Sequence, residues 1–251
     1  MSWERFIFAS FSVRTQVKGF TSLLLSAFLL VSCQDAYFVK GVTDVSGFKG
    51  RLMILKIPTV DGRWVAVDSC EVTHGMFAMK GHVDSVVIAT LFVDDTPLIP
   101  VVIEEGILNI SLSNLAYRVS GTRLNDALYS FFDNKNLLDS QVEELGRTES
   151  QMIMNGIPSE DVHNYVDSVY TSISDAMSGL ITDFIRTNYQ NVLGLCGFGM
   201  LSYGLPYPMM TPLIRQVLDD APLSFKENPF IRNYVSAANR EMSRQNLAAG
   251  N

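Results

Sequence analysis

A chain of 251 residues with 47% hydrophobic and 18% charged residues has the make-up of a globular protein, with room for one large domain or two ordinary ones. Its formal charge is −7, and the part beyond residue 33, with 16 basic and 25 acidic residues, carries −9. So acidic a body repels phosphate backbones and no Lys/Arg-rich run offsets it, which excludes nucleic acid as the expected partner.

The first element is an apolar run from Phe20 to Ser32, preceded by Arg14 and Lys18. Its length suits a signal-peptide core of about 7–15 residues and falls short of the ~20 that a spanning helix needs. Leu30-Val31-Ser32-Cys33 then supplies a branched aliphatic, a tolerated residue, a small residue that fits a peptidase cleft, and a thiol able to take diacylglycerol. That tetrapeptide matches the bacterial lipobox. Residues 1–32 are therefore expected to be a lipoprotein signal peptide, with Cys33 lipid-linked as residue one of the mature chain and 33–37 a short tether. The bland alternative is an anchor helix with an incidental cysteine. Residues 1–16 make the leader unusually long and aromatic, and a start at Val17, from a GTG codon, gives a more ordinary signal.

From residue 38 to 120 the pattern is β. Runs rich in Val, Ile, Leu and Phe cover Arg51–Ile57, Trp64–Val72, Ser85–Val93, Leu98–Ile103 and Ile107–Leu112. Turn signals separate them: Ser46-Gly47, Asp61-Gly62, His74-Gly75 and Glu105-Gly106, where glycine supplies the positive φ of a tight turn. Six to eight short strands without room for a βαβ crossover predict an antiparallel β-sandwich or partly closed barrel.

Beyond Gly121 the period changes to that of a helix, and residues 121–251 are expected to form an all-α domain, giving an α+β chain. Leu124, Ala127, Leu128, Phe131 and Leu138 share one helical face. A second helix is expected from an N-cap at Ser159 to about Asn188, with Glu160 and Asp161 favourably placed on its dipole. "GLCGFGMLSYG" reads as a close-packed helix or hairpin. Thr211-Pro212 opens another helix and Asn228-Pro229 the last, with Ile231, Tyr234, Ala238 and Met242 facing inward and a frayed tail from Asn246.

Chemistry-bearing residues are sparse. Cys33, Cys70 and Cys196 form no C-x-x-C, and the latter two read as small buried apolar residues, unpaired. His74, His82 and His163 have no metal spacing and read as surface residues; no metal or cofactor is expected. Ser202 lies one residue out of register for a nucleophile elbow, and Gly197-x-Gly199 lacks the βαβ unit of a dinucleotide loop. The carboxylate pairs Asp94-Asp95, Glu104-Glu105 and Asp219-Asp220 read as solvated turns, because neighbours on extended chain point opposite ways. No catalytic residue is expected. "SYGLPYPMM" stands apart: Tyr203, Tyr207, Met209 and Met210 sit in a proline-interrupted loop that cannot bury all of them, a candidate binding surface.

Four stretches in order carry a family resemblance: "FVKGVTDVSGFKGRLMIL", "DSCEVTHGMFAMKG", "PVVIEEGILNISL" and "VSGTRLNDAL". They resemble the domain of unknown function of Bacteroidetes envelope lipoproteins that commonly precedes a thioredoxin-like domain; the helical half is similar too, through "DFIRTNYQNVLG". The resemblance implies an antiparallel β-domain, a helical domain and an envelope lipoprotein. In the redox members the thioredoxin-like domain carries the C-x-x-C, and the expectation from the resemblance is that this protein lacks that domain. The expected function is thus a non-catalytic, lipid-anchored binding module, held to the membrane through Cys33, whose unknown ligand is an envelope protein, a peptide or another molecule. Gln34 is no retention aspartate but does not settle the membrane by itself; the resemblance implies the outer membrane. "QDAYF", with Asp35 as its one acid, is a poor match to a surface-export signal, so the periplasmic face is expected. The alternative is an accessory of envelope thiol–disulfide exchange, acting with a separate thioredoxin-like protein.

Overall fold

The computed structural model describes residues 36–59, 62–82 and 84–249. Cys33 and the leader lie outside them. Eight strands come first: β1 (Ala36–Thr43), β2 (Leu52–Pro58), β3 (Trp64–Glu71), β4 (Met76–His82), β5 (Val87–Val93), β6 (Thr96–Ile103), β7 (Gly106–Leu112) and β8 (Tyr117–Ser120). They build two four-stranded sheets, ordered β4-β1-β7-β8 and β3-β2-β5-β6. The sandwich expectation holds, and the sheets do not close into a barrel.

Alternation explains which face each strand buries. Tyr37 and Val39 of β1 and Leu108, Ile110 and Leu112 of β7 turn inward at 1% exposure or less, while Phe38, Lys40, Ile107 and Asn109 point out. Every strand pair is antiparallel except β1–β7, which pairs in parallel over Tyr37↔Gly106 to Thr43↔Leu112. All of the second sheet, together with β4, is inserted between these two strands, so the parallel pair needs no helical crossover.

The β3–β4 connection is a corner between the sheets. At the His74-Gly75 turn both residues have positive φ, 53° and 75°, and the Thr43 amide donates to the Gly75 carbonyl at 2.8 Å. A Cβ on Gly75 would lie 2.8 Å from the Thr43 oxygen, so backbone conformation and space both require glycine there. The Ser46-Gly47 turn differs from expectation. It forms a short 3-10 turn, Ser46–Phe48, and the left-handed residue is Gly50 at φ 71°. Two aromatic rings fill the space above glycines on the neighbouring strand. Phe77 covers Gly41 and Tyr37 covers Gly81, where an added Cβ would come within 2.1 and 2.6 Å of ring carbons.

Six helices follow: α1 (Arg123–Met154), α2 (Ser159–Thr187), α3 (Val192–Tyr203), α4 (Pro212–Asp220), α5 (Leu223–Lys226) and α6 (Pro229–Ala249). Thr211 caps α4 by accepting from the Ile214 amide, and Asn228 caps α6 by accepting from that of Phe230. Ser159 does not cap α2. Pro158 holds that position with φ −54° and ψ 139°, which places Ser159 inside the first turn. Helix α6 runs on to Ala249, past the expected fraying point.

Leu124, Leu128, Tyr129 and Phe131 of α1, Phe184 of α2 and Leu193 of α3 join the strands' core, so it runs from the sandwich into the helices. A second core lies among Ile185, Phe198, Ile214, Val217, Phe225 and Ile231. Ala238 is buried as expected, whereas Met242 is 39% exposed at the rim of α6. The outer halves of α1 and α2 form a slender antiparallel hairpin. From Asp133 to Gly179 only Leu145, Val162 and Ile173 are fully buried.

Candidate functional site

Two polar constructions stand out, and they do different work. The first joins sheet to helix. The Asn125 side chain accepts from the Val102 amide at 2.9 Å and donates to the Val102 carbonyl at 2.7 Å, as a neighbouring strand would. Tyr129 donates to the Pro100 carbonyl at 2.9 Å, two residues along the same edge. The first turns of α1 thus cover the edge of β6, which otherwise leaves backbone groups unpaired. Glu104, just past β6, accepts from the Leu124 and Asn125 amides at 2.7 and 3.2 Å and so caps α1 with a negative charge on the positive end of its dipole. Glu104 is therefore not a solvated turn residue; it is 9% exposed. Its neighbour Glu105 does point to solvent.

Gly121 has φ 97°, and a Cβ there would lie 2.6 Å from the Ile107 carbonyl. Asp126 accepts from the Gly121 amide at 3.0 Å, closing the turn into the helix. Asp68 spans the seam between β3 and β4. It accepts from the Lys80 amide at 3.0 Å, the Ser69 amide at 2.7 Å and the Tyr37 hydroxyl at 3.4 Å. Burial, then the Asp68 charge, pushes the Tyr37 hydroxyl up to about 12.

The second construction is a groove beside the proline-interrupted loop. Tyr207, Pro208, Met209 and Met210 line one wall, and Arg215 of α4 and Met242 of α6 line the other. The Tyr234 hydroxyl fixes the loop, accepting from the Met209 amide at 3.2 Å and donating to its carbonyl at 2.8 Å. Arg215 donates through Nε to the Met210 carbonyl at 3.2 Å. The groove holds about 160 Å³, below the ~300–1,000 Å³ typical of small-ligand sites. It suits one inserted side chain, and methionine thioethers adapt their shape to such a guest.

Tyr203, the last residue of α3, is 93% exposed and stands outside the groove lining. Phe230, 47% exposed, lies over Gly199, one turn before Tyr203. Of the four candidate residues, three gather at the groove and Tyr203 marks the surface nearby. Arg215 and Met242 escaped sequence reasoning because they come from separate helices, and no local pattern links them to the loop.

Cys70 and Cys196 are unpaired and only half-buried, not the core residues expected, yet burial still holds both thiols above their ordinary value, which keeps them protonated and weakly nucleophilic at neutral pH. His163 pairs with Asp167 at 3.1 Å on an exposed face. Among the described residues no group of three His, Cys, Asp or Glu is arranged to hold a metal ion. Also among these residues, no helix is long and apolar enough to cross a membrane. A trough of about 440 Å³ along the open side of the α1–α2 hairpin is lined by Leu145, Tyr165, Val169 and Ile173 with Glu144 and several hydroxyls.

Residues 37–128 match the model of a family described as a domain of unknown function, DUF4369. No curated protein matches the sequence. The matched segment spans the whole sandwich and ends one turn beyond Asn125, so it contains the joint between β6 and α1. Within it, Gly41, Gly75, Gly81 and Gly121, with Asp68, Glu104 and Asn125, are accounted for as architecture. The methionine groove lies outside the matched segment.

Proposed function

We propose that this protein is a non-catalytic envelope lipoprotein of the Bacteroidetes type, anchored through lipid on Cys33 to the outer membrane and facing the periplasm, which binds a protein or peptide partner. The observation carrying the binding part is the loop Tyr207–Met210, locked by Tyr234 into one wall of a groove sized for a single side chain. Tyr203 and Phe230, exposed nearby, add the aromatic surface that protein contacts favour. The leader and Leu30-Val31-Ser32-Cys33 support the anchor. A role in thiol–disulfide exchange would leave the chemistry to the partner, since the two described thiols are held protonated.

A photo-reactive phenylalanine analogue placed at Tyr203, Tyr207 or exposed Lys49 in living cells tests the reading. Discrete adducts are expected from positions 203 and 207, none from 49, and a weaker adduct at 207 once Met242→Glu sets a carboxylate among the groove's methionines. Equal adducts from all three positions, or none, would overturn it.

A further inference from the structure

We propose that the end of the β-sandwich bearing Ala36 rests directly on the bilayer, with Phe38, Ile107 and Val86 at the boundary between headgroups and acyl chains. The inference rests on the lipid anchor at Cys33 proposed above and adds to it a defined orientation of the body.

The strand registers define this end. Ala36 pairs with His82 and Tyr37 with Gly106, so β4 finishes and β7 begins beside the start of β1. Five residues after His82, β5 begins at Val87, opposite the last residue of β6, Ile103. Phe38 and Ile107 are direct neighbours across β1 and β7, on the outer face, at 40% and 44% exposure. Val86, 37% exposed, precedes β5 at the same end. Lys80 reaches over the Phe38 ring, 5.4 Å from its centroid, where its ammonium can stay at headgroup level while its stem lies along apolar surface.

Chain length decides where the anchor can place the body. Three Cα-to-Cα steps separate Cys33 from Ala36, at most ~11 Å of chain. A headgroup layer is about 5–8 Å deep, half the difference between total and hydrocarbon thickness. A diacylglycerol-linked Cys33 therefore keeps Ala36 within a few ångströms of the membrane surface. The opposite end of the sandwich is equally apolar, with Val42, Met76 and Leu115 exposed at 52%, 59% and 98%. It lies seven residues further along β1, roughly 23 Å away at 3.3 Å per residue, beyond the reach of the tether. Acidic Asp84 and Glu105 balance basic Lys80 and Arg123 at the near end, so the contact is apolar and not a basic patch on anionic lipid.

Tryptophan quenching in the full chain tests this. The protein carries Trp64→Phe, is processed in a lipoprotein-competent host, and is reconstituted into phosphatidylethanolamine/phosphatidylglycerol vesicles containing acyl-brominated lipid. Emission from Ile107→Trp, and from Phe38→Trp as a second probe, should be quenched several-fold more than that from Leu115→Trp, with no change when salt is raised. Equal quenching at both ends, or none at position 107, in protein that carries a metabolically labelled fatty acid overturns the orientation and leaves the anchor standing. Absence of label in the parent overturns the anchor and the orientation together.

Discussion

Tyr37 shows how one side chain can serve three neighbours. Its ring fills the space above Gly81, its hydroxyl donates to Asp68 across the seam, and its body lies in the core at 1% exposure. Burial, with the nearby carboxylate, disfavours the phenolate and raises the hydroxyl from 10.0 to about 12. A pKa raised by folding means that the protonated form is the one the native state prefers. Its stabilisation is therefore complete below pH 10 and is lost as pH rises from 10 towards 12. Tyr129 and Tyr189, both raised by burial, contribute in the same direction. Thermal melting followed by circular dichroism should show a falling midpoint across that window. Tyr37→Phe should make the fall shallower; an unchanged slope would show that Tyr37 ionises as freely folded as unfolded.

The element that organises the chain is the junction of β6 with α1. An edge strand has unpaired backbone groups on its free side and a helix N-terminus has unpaired amides, so each end is costly alone. Asn125 and Glu104 satisfy both at once. Glu104→Ala leaves the Leu124 and Asn125 amides without their acceptor and should cost about 1–3 kcal/mol. Asn125→Ala strands both backbone groups of Val102 in a buried site and should cost more than Glu104→Ala. Equilibrium urea denaturation measures both; a loss below a few tenths of a kcal/mol for Asn125→Ala would mean that the edge pairing is dispensable. The chemical role of this junction was hidden in sequence because Glu104-Glu105 resembles any acidic turn. Only the opposite orientations of the two side chains, one into the helix end and one into water, tell them apart.

At the scale of the whole molecule, period and punctuation made most of the architecture legible. Runs of apolar residues located five strands, β2, β3, β5, β6 and β7, within about two residues but gave no bounds for β4, and Thr211-Pro212 and Asn228-Pro229 located two helix starts. What stayed hidden was long-range. The parallel β1–β7 pairing joins residues nearly seventy apart, and sequence pattern gives the faces of two strands without saying that they meet. The groove was half legible. An unburiable aromatic and methionine loop announced Tyr207, Met209 and Met210, while Arg215 and Met242 came to it through the packing of α4 and α6.

The family match covers the sandwich and its junction with α1, and the methionine groove lies outside it. A partner is thus to be sought on the helical half, and the membrane at the Ala36 end. The membrane assignment depends on where the mature chain begins, which intact-mass and peptide mass spectrometry of the protein from a lipoprotein-processing host measures directly. The account predicts a first residue of Cys33 carrying a diacylglycerol mass, and an unprocessed, unlipidated chain for Cys33→Ser. A wild-type chain that retains residues upstream of Cys33, or begins there without lipid, would contradict it.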